Sequence, residues 1–593
     1  MKTSKYILSL ILLSVGSVLT VQADDSIVNR NVTVEREYKP IIHDAGKINS
    51  VPKVLELNVD KAAANYSDFN LPLNAGFNIH TLPAAQLDFG KKADNKPGYA
   101  RVGIGNYFNT LVDFAYPLVR TSDMTLDFSL NHLGAYGIKA HTTTKAALSF
   151  DKSFDAFNVY AGLGGGHEYL KYYGNNFNNN GTVVDLKTLA ITNGTDIYSE
   201  DDLTHLNRTA QYFKLTDLAN DSNSNTFWRF NALAGVRSLP ETDGLRYRAE
   251  VQYKTFSSHY GLSEHLIHTL AGFNIPNKEN RLGVDVEMYN LGYSSDNPLM
   301  AYFNDAYTVV TLNPYYGIER ENYNVRLGVK SALSFGRGDL FNPSADLRAE
   351  WKIAPEFFSV YGGATGGYAV NTLDAMAEEN RYLYSDVKVN DTYTPYDVYA
   401  GFKLKPLYNL LLDAYVDYRS INNQYFFVNK EYSISTMTVP PFIPNAGLFT
   451  NRFNVIYSDA TQLKVGARAN YNFKNLVNVE LKGAYNGWAV ATEQYAWNKP
   501  TWEASLNTGV RINPEWSVSA NAFYEGERYA KLGTLAPIRM RDKIDINLGA
   551  NYSYNNWLTA FVKVNNLINN QYQYFYGYDV QGFNVLVGAG FSF

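Results

Sequence analysis

Lys543-Ile544-Asp545-Ile546-Asn547-Leu548-Gly549-Ala550-Asn551-Tyr552-Ser553-Tyr554 alternates from end to end. Ile544, Ile546, Leu548, Ala550, Tyr552 and Tyr554 share one face; Asp545, Asn547, Gly549, Asn551 and Ser553 share the other. Successive side chains of a β-strand point to opposite faces, so this stretch reads as a strand with one apolar and one polar side. The pattern repeats upstream. Leu245, Tyr247, Ala249, Val251 and Tyr253 alternate with Arg246, Arg248, Glu250 and Gln252. Asp346, Arg348, Glu350 and Lys352 interleave with Ala345, Leu347, Ala349, Trp351 and Ile353, and Lys464, Gly466, Arg468 and Asn470 with Leu463, Val465, Ala467 and Ala469.

Composition decides which all-β architecture these strands build. Of 593 residues, 46% are hydrophobic, only 18% are charged, and Tyr (47) outnumbers Phe (33) and Trp (7). Past the N-terminus no run of about 20 apolar residues is present, so a membrane-spanning helix is excluded there. Long, Tyr- and Gly-rich, alternating strands with little charge indicate a transmembrane β-barrel rather than a soluble sandwich. The absence of Cys excludes a disulfide framework, a thiol nucleophile, a Cys-based zinc site and a lipid-anchored mature Cys. A net charge of −5 without a basic patch argues against nucleic acid.

The N-terminus reads as an export leader. Lys2 and Lys5 precede the short apolar core Ile7–Thr20, and Val21-Gln22-Ala23 places small side chains where a signal peptidase cuts. Residues 1–23 are therefore expected to be a signal peptide, and the mature chain to reach the cell outer membrane, with its lipid and its assembly machinery as partners.

Short polar turns recur at Arg120–Asp123, Lys152–Asp155, Pro240–Gly244, Pro276–Asn280, Arg320–Asn322, Ala354–Glu356, Lys405–Asn409, Lys474–Asn475, Asn513–Glu515 and Asn555–Asn556. Between them lie more variable loops, the longest from about Tyr169 to Thr226, others near Gly292–Phe303, Ala369–Thr394 and Val428–Thr450. Outer-membrane barrels have short periplasmic turns and long extracellular loops. Ten turns with both chain ends in the periplasm predict about 22 antiparallel up-and-down strands, filling 99–593.

The C-terminus carries a family resemblance. Val585, Val587, Ala589, Phe591 and Phe593 occupy one face of the last strand, and a terminal Phe in that setting resembles the assembly signal of bacterial outer-membrane barrels. Val564-Asn565-Asn566-Leu567-Ile568-Asn569-Asn570-Gln571-Tyr572 resembles the penultimate-hairpin motif of TonB-dependent receptors, and Phe453–Phe473 resembles the long strand before their last three hairpins. Two positions depart from the family pattern: Arg468 stands where Glu is common, and Gln581-Gly582-Phe583 where Pro-Gly-Arg opens the last strand. The resemblance implies solute or nutrient uptake across the outer membrane.

Such receptors carry an N-terminal plug, and Asp24–Gly98 is shorter than a conventional one, so the chain resembles a plugless relative. Barrels of this strand number nonetheless have a plugged lumen. The expected fillers are the 24–98 segment, in the periplasm or threaded through the lumen, the Tyr169–Thr226 loop, or a partner. Within 24–98, Val32, Thr33, Val34, Glu35 and Arg36 form an extended stretch resembling the box that adds a strand to TonB, or to another periplasmic or surface protein. A plain leader fits the same residues. The lumen is expected to carry Arg246, Arg248, Glu250, Asp285, Glu287, Arg326, Lys330, Asp346, Arg348 and Glu350, as a cross-strand ion network rather than a selectivity ring.

Catalytic sets are lacking. His265 and His268, three apart in a strand, point to opposite faces and make no metal pair. Gly162–Gly166 has no following helix or Lys-Ser/Thr to cradle phosphate, and reads as relief of crowding or a bulge. The sequence thus predicts no enzyme, no cofactor and no metal. It leaves uptake first and a non-transporting accessory or scaffold subunit second.

Overall fold

The computed structural model describes residues 96–177, 183–184, 224–239, 244–259, 261–277, 279–294, 304–384, 387–432, 448–474, 476–533 and 535–593. They form a closed antiparallel barrel of 22 strands, ordered as in the chain. The first half comprises β1 (Tyr99–Gly105), β2 (Thr110–Arg120), β3 (Met124–Ala135), β4 (His141–Ser153), β5 (Phe157–Lys171), β6 (Ser224–Ser238), β7 (Arg246–Ser258), β8 (Ser263–Asn277), β9 (Asn280–Ser294), β10 (Tyr307–Glu319) and β11 (Tyr323–Phe335). The second half comprises β12 (Phe341–Ala354), β13 (Phe358–Ala369), β14 (Thr392–Leu407), β15 (Leu410–Tyr432), β16 (Leu448–Phe473), β17 (Val477–Val490), β18 (Trp502–Arg511), β19 (Trp516–Gly526), β20 (Lys543–Ser553), β21 (Leu558–Asn565) and β22 (Asn584–Ser592).

β22 returns to β1, with Ala100 opposite Phe591 and Gly103 opposite Gly588. Backbone bonds of 3.0 Å from Gly98 N–H to Phe593 carbonyl and back complete the seam. Alternate connections lie at opposite ends, so the ten short turns gather at one end with the start of β1 and the end of β22. The opposite end carries the longer loops.

Period two now has a physical direction. Ile267, Phe273 and Ile275 of β8, Leu327 and Val329 of β11, Leu347 and Trp351 of β12 and Val398 of β14 are exposed on the outer face. In water these side chains would be a liability; in a bilayer they are the required lipid contact. Among the described residues no helix is long and apolar enough to cross a membrane. The strands make the crossing. Their heights differ: β15 and β16 run for 23 and 26 residues, against 7 in β1 and 8 in β21. About 9–11 residues suffice to span, so β15 and β16 rise far above the seam.

On the inner face five Tyr rings lie across a glycine of the neighbouring strand: Tyr160 over Gly235, Tyr315 over Gly283, Tyr361 over Gly401, Tyr399 over Gly363, and Tyr415 over Gly466. The missing side chain lets the ring lie across the neighbouring strand; a Cβ on Gly401 would sit 2.5 Å from Tyr361 Cζ. Such pairing covers the glycine's bare backbone. The hydroxyls then reach inner-wall acids, Tyr160 donating to Glu250 at 2.7 Å and Tyr361 to Asp413 at 2.6 Å. Gly162–Gly166 is no bulge, because β5 pairs with β6 without a register shift. Leu233 crowds Gly162 at 3.2 Å, whereas Gly165 has open space.

Candidate functional site

The longer-loop end is crossed by the connection between β13 and β14. Its 370–391 stretch, read from sequence as a surface loop, folds inward. Thr372 starts α1 (Leu373–Glu379), its hydroxyl accepting the Ala375 N–H at 3.1 Å. Thr is a favoured N-cap, and Leu, Ala, Met and Glu are good helix formers. A helix of about two turns is marginal in isolation and needs tertiary packing. Here Leu373, Met376 and Ala377 are buried with Leu383, Val387 and Val389 of the same stretch, Leu170, Phe227 and Phe256 of the wall, and Phe427 and Phe453 of the tall β15 and β16.

Two other loops join. Tyr382 stacks on Tyr578 of the β21–β22 connection with ring centroids 3.5 Å apart, and its hydroxyl donates to that of Tyr173 at 3.3 Å. Backbone bonds tie Tyr384 N–H to the Phe453 carbonyl (2.8 Å) and Phe453 N–H to the Tyr382 carbonyl (3.0 Å).

Charges fix the cap at both sides of the bore. On one, Arg229 of β6 reaches Asp374 at 2.5 Å and Glu168 of β5 at 2.8 Å, and Glu264 of β8 accepts the Leu373 N–H at 2.7 Å. On the other, Lys499, in the connection between β17 and β18, pairs with Glu379 at 2.7 Å; Tyr425 of β15 donates to the same carboxylate at 2.5 Å. β6 and β17 are half the circumference apart, so the cap bridges the bore. At its exit, Asp391 accepts from Tyr307 (2.7 Å), Tyr368 (3.0 Å) and the Asn371 N–H (3.1 Å). Burial nevertheless raises its carboxyl above the usual range, against the pull of those donors.

Most of the lumen charges expected from sequence form ion pairs along the wall. Arg326 reaches Asp346 at 2.8 Å and Asp285 at 3.2 Å and covers the Tyr315 ring; Arg348 pairs with Asp346 at 2.9 Å. Arg248 pairs with Glu250 at 2.8 Å, Glu350 with Lys403 at 2.9 Å, and Lys330 donates to the Gly366 carbonyl at 3.0 Å. Glu287 accepts from Tyr289 at 2.9 Å, and Arg246 lies two residues from Arg248 on the same face. His268 stacks on Tyr289 inside, while His265 meets Tyr253 on the outer face. Phe591 stacks on Trp557 and Phe593 on Tyr116, both half-exposed on the lipid face. The leader, the 24–95 part of the N-terminal segment with Val32–Arg36, and most of the Tyr169–Thr226 loop lie outside the described residues. Sequence reasoning missed the cap; its signal was the apolar set Leu373, Met376, Leu383, Val387 and Val389 inside a supposed surface loop.

Solved structures that share this architecture include two receptors and an iron transporter. The siderophore receptor PirA from Acinetobacter baumannii superposes with a TM-score of 0.57 at 10% identity, covering 84% of this chain and 80% of its own. The FrpB iron transporter from Neisseria meningitidis gives 0.57 at 9% identity, with 85% and 83% covered. The ferripyoverdine receptor of the Pseudomonas aeruginosa outer membrane gives 0.56 at 12%, with 84% and 71% covered. The wall has the fold of a siderophore-receptor barrel. At these identities the likeness is one of fold, and it agrees with what the C-terminal strands implied. A receptor-type barrel of 22 strands is an outer-membrane architecture. No protein-family model matches the chain, and no curated protein does.

Proposed function

We propose that this receptor-type barrel serves uptake of a solute across the outer membrane, with its surface mouth held shut by the 370–391 cap. The observation that carries the reading is the import-receptor fold spanning 84% of the chain. The N-terminal segment 24–98 then works from the periplasmic side as a plugless receptor's leader, with Val32–Arg36 adding a strand to TonB or another periplasmic protein. The many ties of the cap to the wall favour the second reading, a closed scaffold subunit.

Two measurements separate them. Replacing residues 371–390 by a short Gly-Ser linker should open a path through the bore, making cells that carry the variant sensitive to vancomycin, which an intact outer membrane excludes. In parallel, a purified periplasmic domain of TonB should retain the full chain, and Val34→Pro should abolish retention by removing a backbone donor from the added strand. A cap-deleted chain that admits no vancomycin, together with no TonB retention, would return the protein to the scaffold class.

A further inference from the structure

The motif Asn566–Gln571 builds something on the outer wall that uptake through the bore does not use. Asn566 is buried, and its side-chain oxygen accepts the Asn570 N–H at 2.8 Å. The Asn570 amide donates to the Ile544 carbonyl at 3.2 Å, and the Leu567 N–H bonds the Ile546 carbonyl at 2.8 Å. These bonds hold the loop after β21 along the part of β20 that β21 leaves unpaired. Between it and the loop before β20 lies a cleft of 890 Å³ lined by Arg539, Met540, Arg541, Ile544, Ile568 and Asn569, with Asp542, Asn570 and Gln571 completing it.

The chemistry of the cleft is two-sided. Ile544 and Ile568 are exposed apolar side chains on the membrane side, and Ile544 lies on the face of β20 that continues through Ile546 to the exposed Leu548. At the rim, Arg539 and Arg541 are exposed on either side of buried Met540. Arg541 donates to the Gln571 carbonyl at 3.1 Å, and Arg539 has Asp542 at a distant 3.9 Å. Asp542 is itself engaged, accepting from Tyr524 at 3.0 Å and the Glu527 N–H at 3.3 Å. Two guanidinium groups therefore stand over an apolar floor, at the level where strand gives way to loop. Arg is the side chain suited to phosphate, through charge-assisted and bidentate hydrogen bonds, and basic pockets at the edge of the membrane hold anionic lipid head groups.

We propose that this cleft binds a phosphate-bearing lipid of the surrounding leaflet, the phosphate on Arg539 and Arg541 and an acyl chain along Ile568, Ile544 and Leu548. The full chain purified in detergent is tested by native mass spectrometry with phosphatidic acid as probe and diacylglycerol as the phosphate-free control. Phosphatidic acid should be retained over diacylglycerol, and Arg539→Gln/Arg541→Gln should lower its retention about tenfold, the loss of one charge-assisted bond or more. Arg539→Gln alone, at a side chain 61% exposed, carries the test if the double variant fails to show the heat-modifiable band of a folded barrel. Ile568→Asn should weaken phosphatidic acid while leaving the arginines in place. Equal retention of both lipids, or of phosphatidic acid by wild type and Arg variant alike, overturns the proposal. So does displacement of phosphatidic acid by equimolar inorganic phosphate, which would mark a free-anion site.

Discussion

Breaking the Glu379–Lys499 pair should unlatch the cap, and a chain without Cys offers a direct way to see it. Met376 is 1% exposed on the buried side of α1, so a thiol placed there by Met376→Cys reacts only when the cap leaves its seat. The Glu379 and Lys499 side chains are 2% and 4% exposed. Removing one partner of so buried a pair costs about 3–5 kcal/mol, chiefly by stranding the other charge. At about 1.36 kcal/mol per factor of ten, adding Lys499→Met to the Met376→Cys chain should raise its maleimide-labelling rate roughly 10²- to 5 × 10³-fold. Tyr425 still donates to Glu379, which places the effect toward the lower figure. The β6 anchors at Asp374 remain, so release should begin at the Glu379 end of α1. A rise of less than about tenfold in a chain that still folds would show that the pair does not hold the cap.

Other expectations follow from the same geometry. Because burial raises Asp391, the seated cap binds a proton more tightly than the released one. Its contribution to seating is thus greatest below the ordinary carboxylate range and is lost as pH rises through the raised value. Labelling of Met376→Cys, relative to that of a free thiol at the same pH, should be slower below the ordinary carboxylate range than above the raised value, and Asp391→Asn should shrink that difference. Gly283→Ala, which drives a Cβ into the Tyr315 ring, should cost about 1–3 kcal/mol as overpacking does, read as a lower temperature for loss of the heat-modifiable band; Tyr315→Leu in the same chain should restore most of it. Deleting Phe593 removes both backbone bonds to Gly98 and the stack on Tyr116, and should lower the amount of barrel assembled in the outer membrane. Normal assembly would make Phe593 a lipid contact only.

The wall was legible because each strand announces itself locally. Ile544 to Tyr554 needs no partner to reveal its two faces, and a turn such as 320–322 is marked by its own residues. The cap was not legible, for the opposite reason. Its contacts join residues remote in sequence: Asp374 with Arg229, 145 positions away, and Glu379 with Lys499, 120 away. α1 spans only 7 residues, too few for a period of 3.6 to stand out. The Tyr–Gly pairs fall between these cases. Abundant Tyr and Gly were plain in the composition, but which ring covers which glycine depends on register across the sheet. The cleft at Asn566–Gln571 was visible as a motif, and only the fold brings Arg539 and Arg541 beside it.

The seam between β1 and β22 also sets the order in which this molecule can come into being. The bonds that close it join Phe593 to Gly98, the two ends of the described wall. No wall without β22 in place can therefore be a completed ring. Until the two ends meet, the wall can exist only as a sheet with two raw edges, each a template for pairing with another chain, and the contact that retires both edges is also the one most distant in sequence, hence slowest to form. Biogenesis of the protein thus contains an obligatory interval in which its edges must be chaperoned, however stable the finished barrel is.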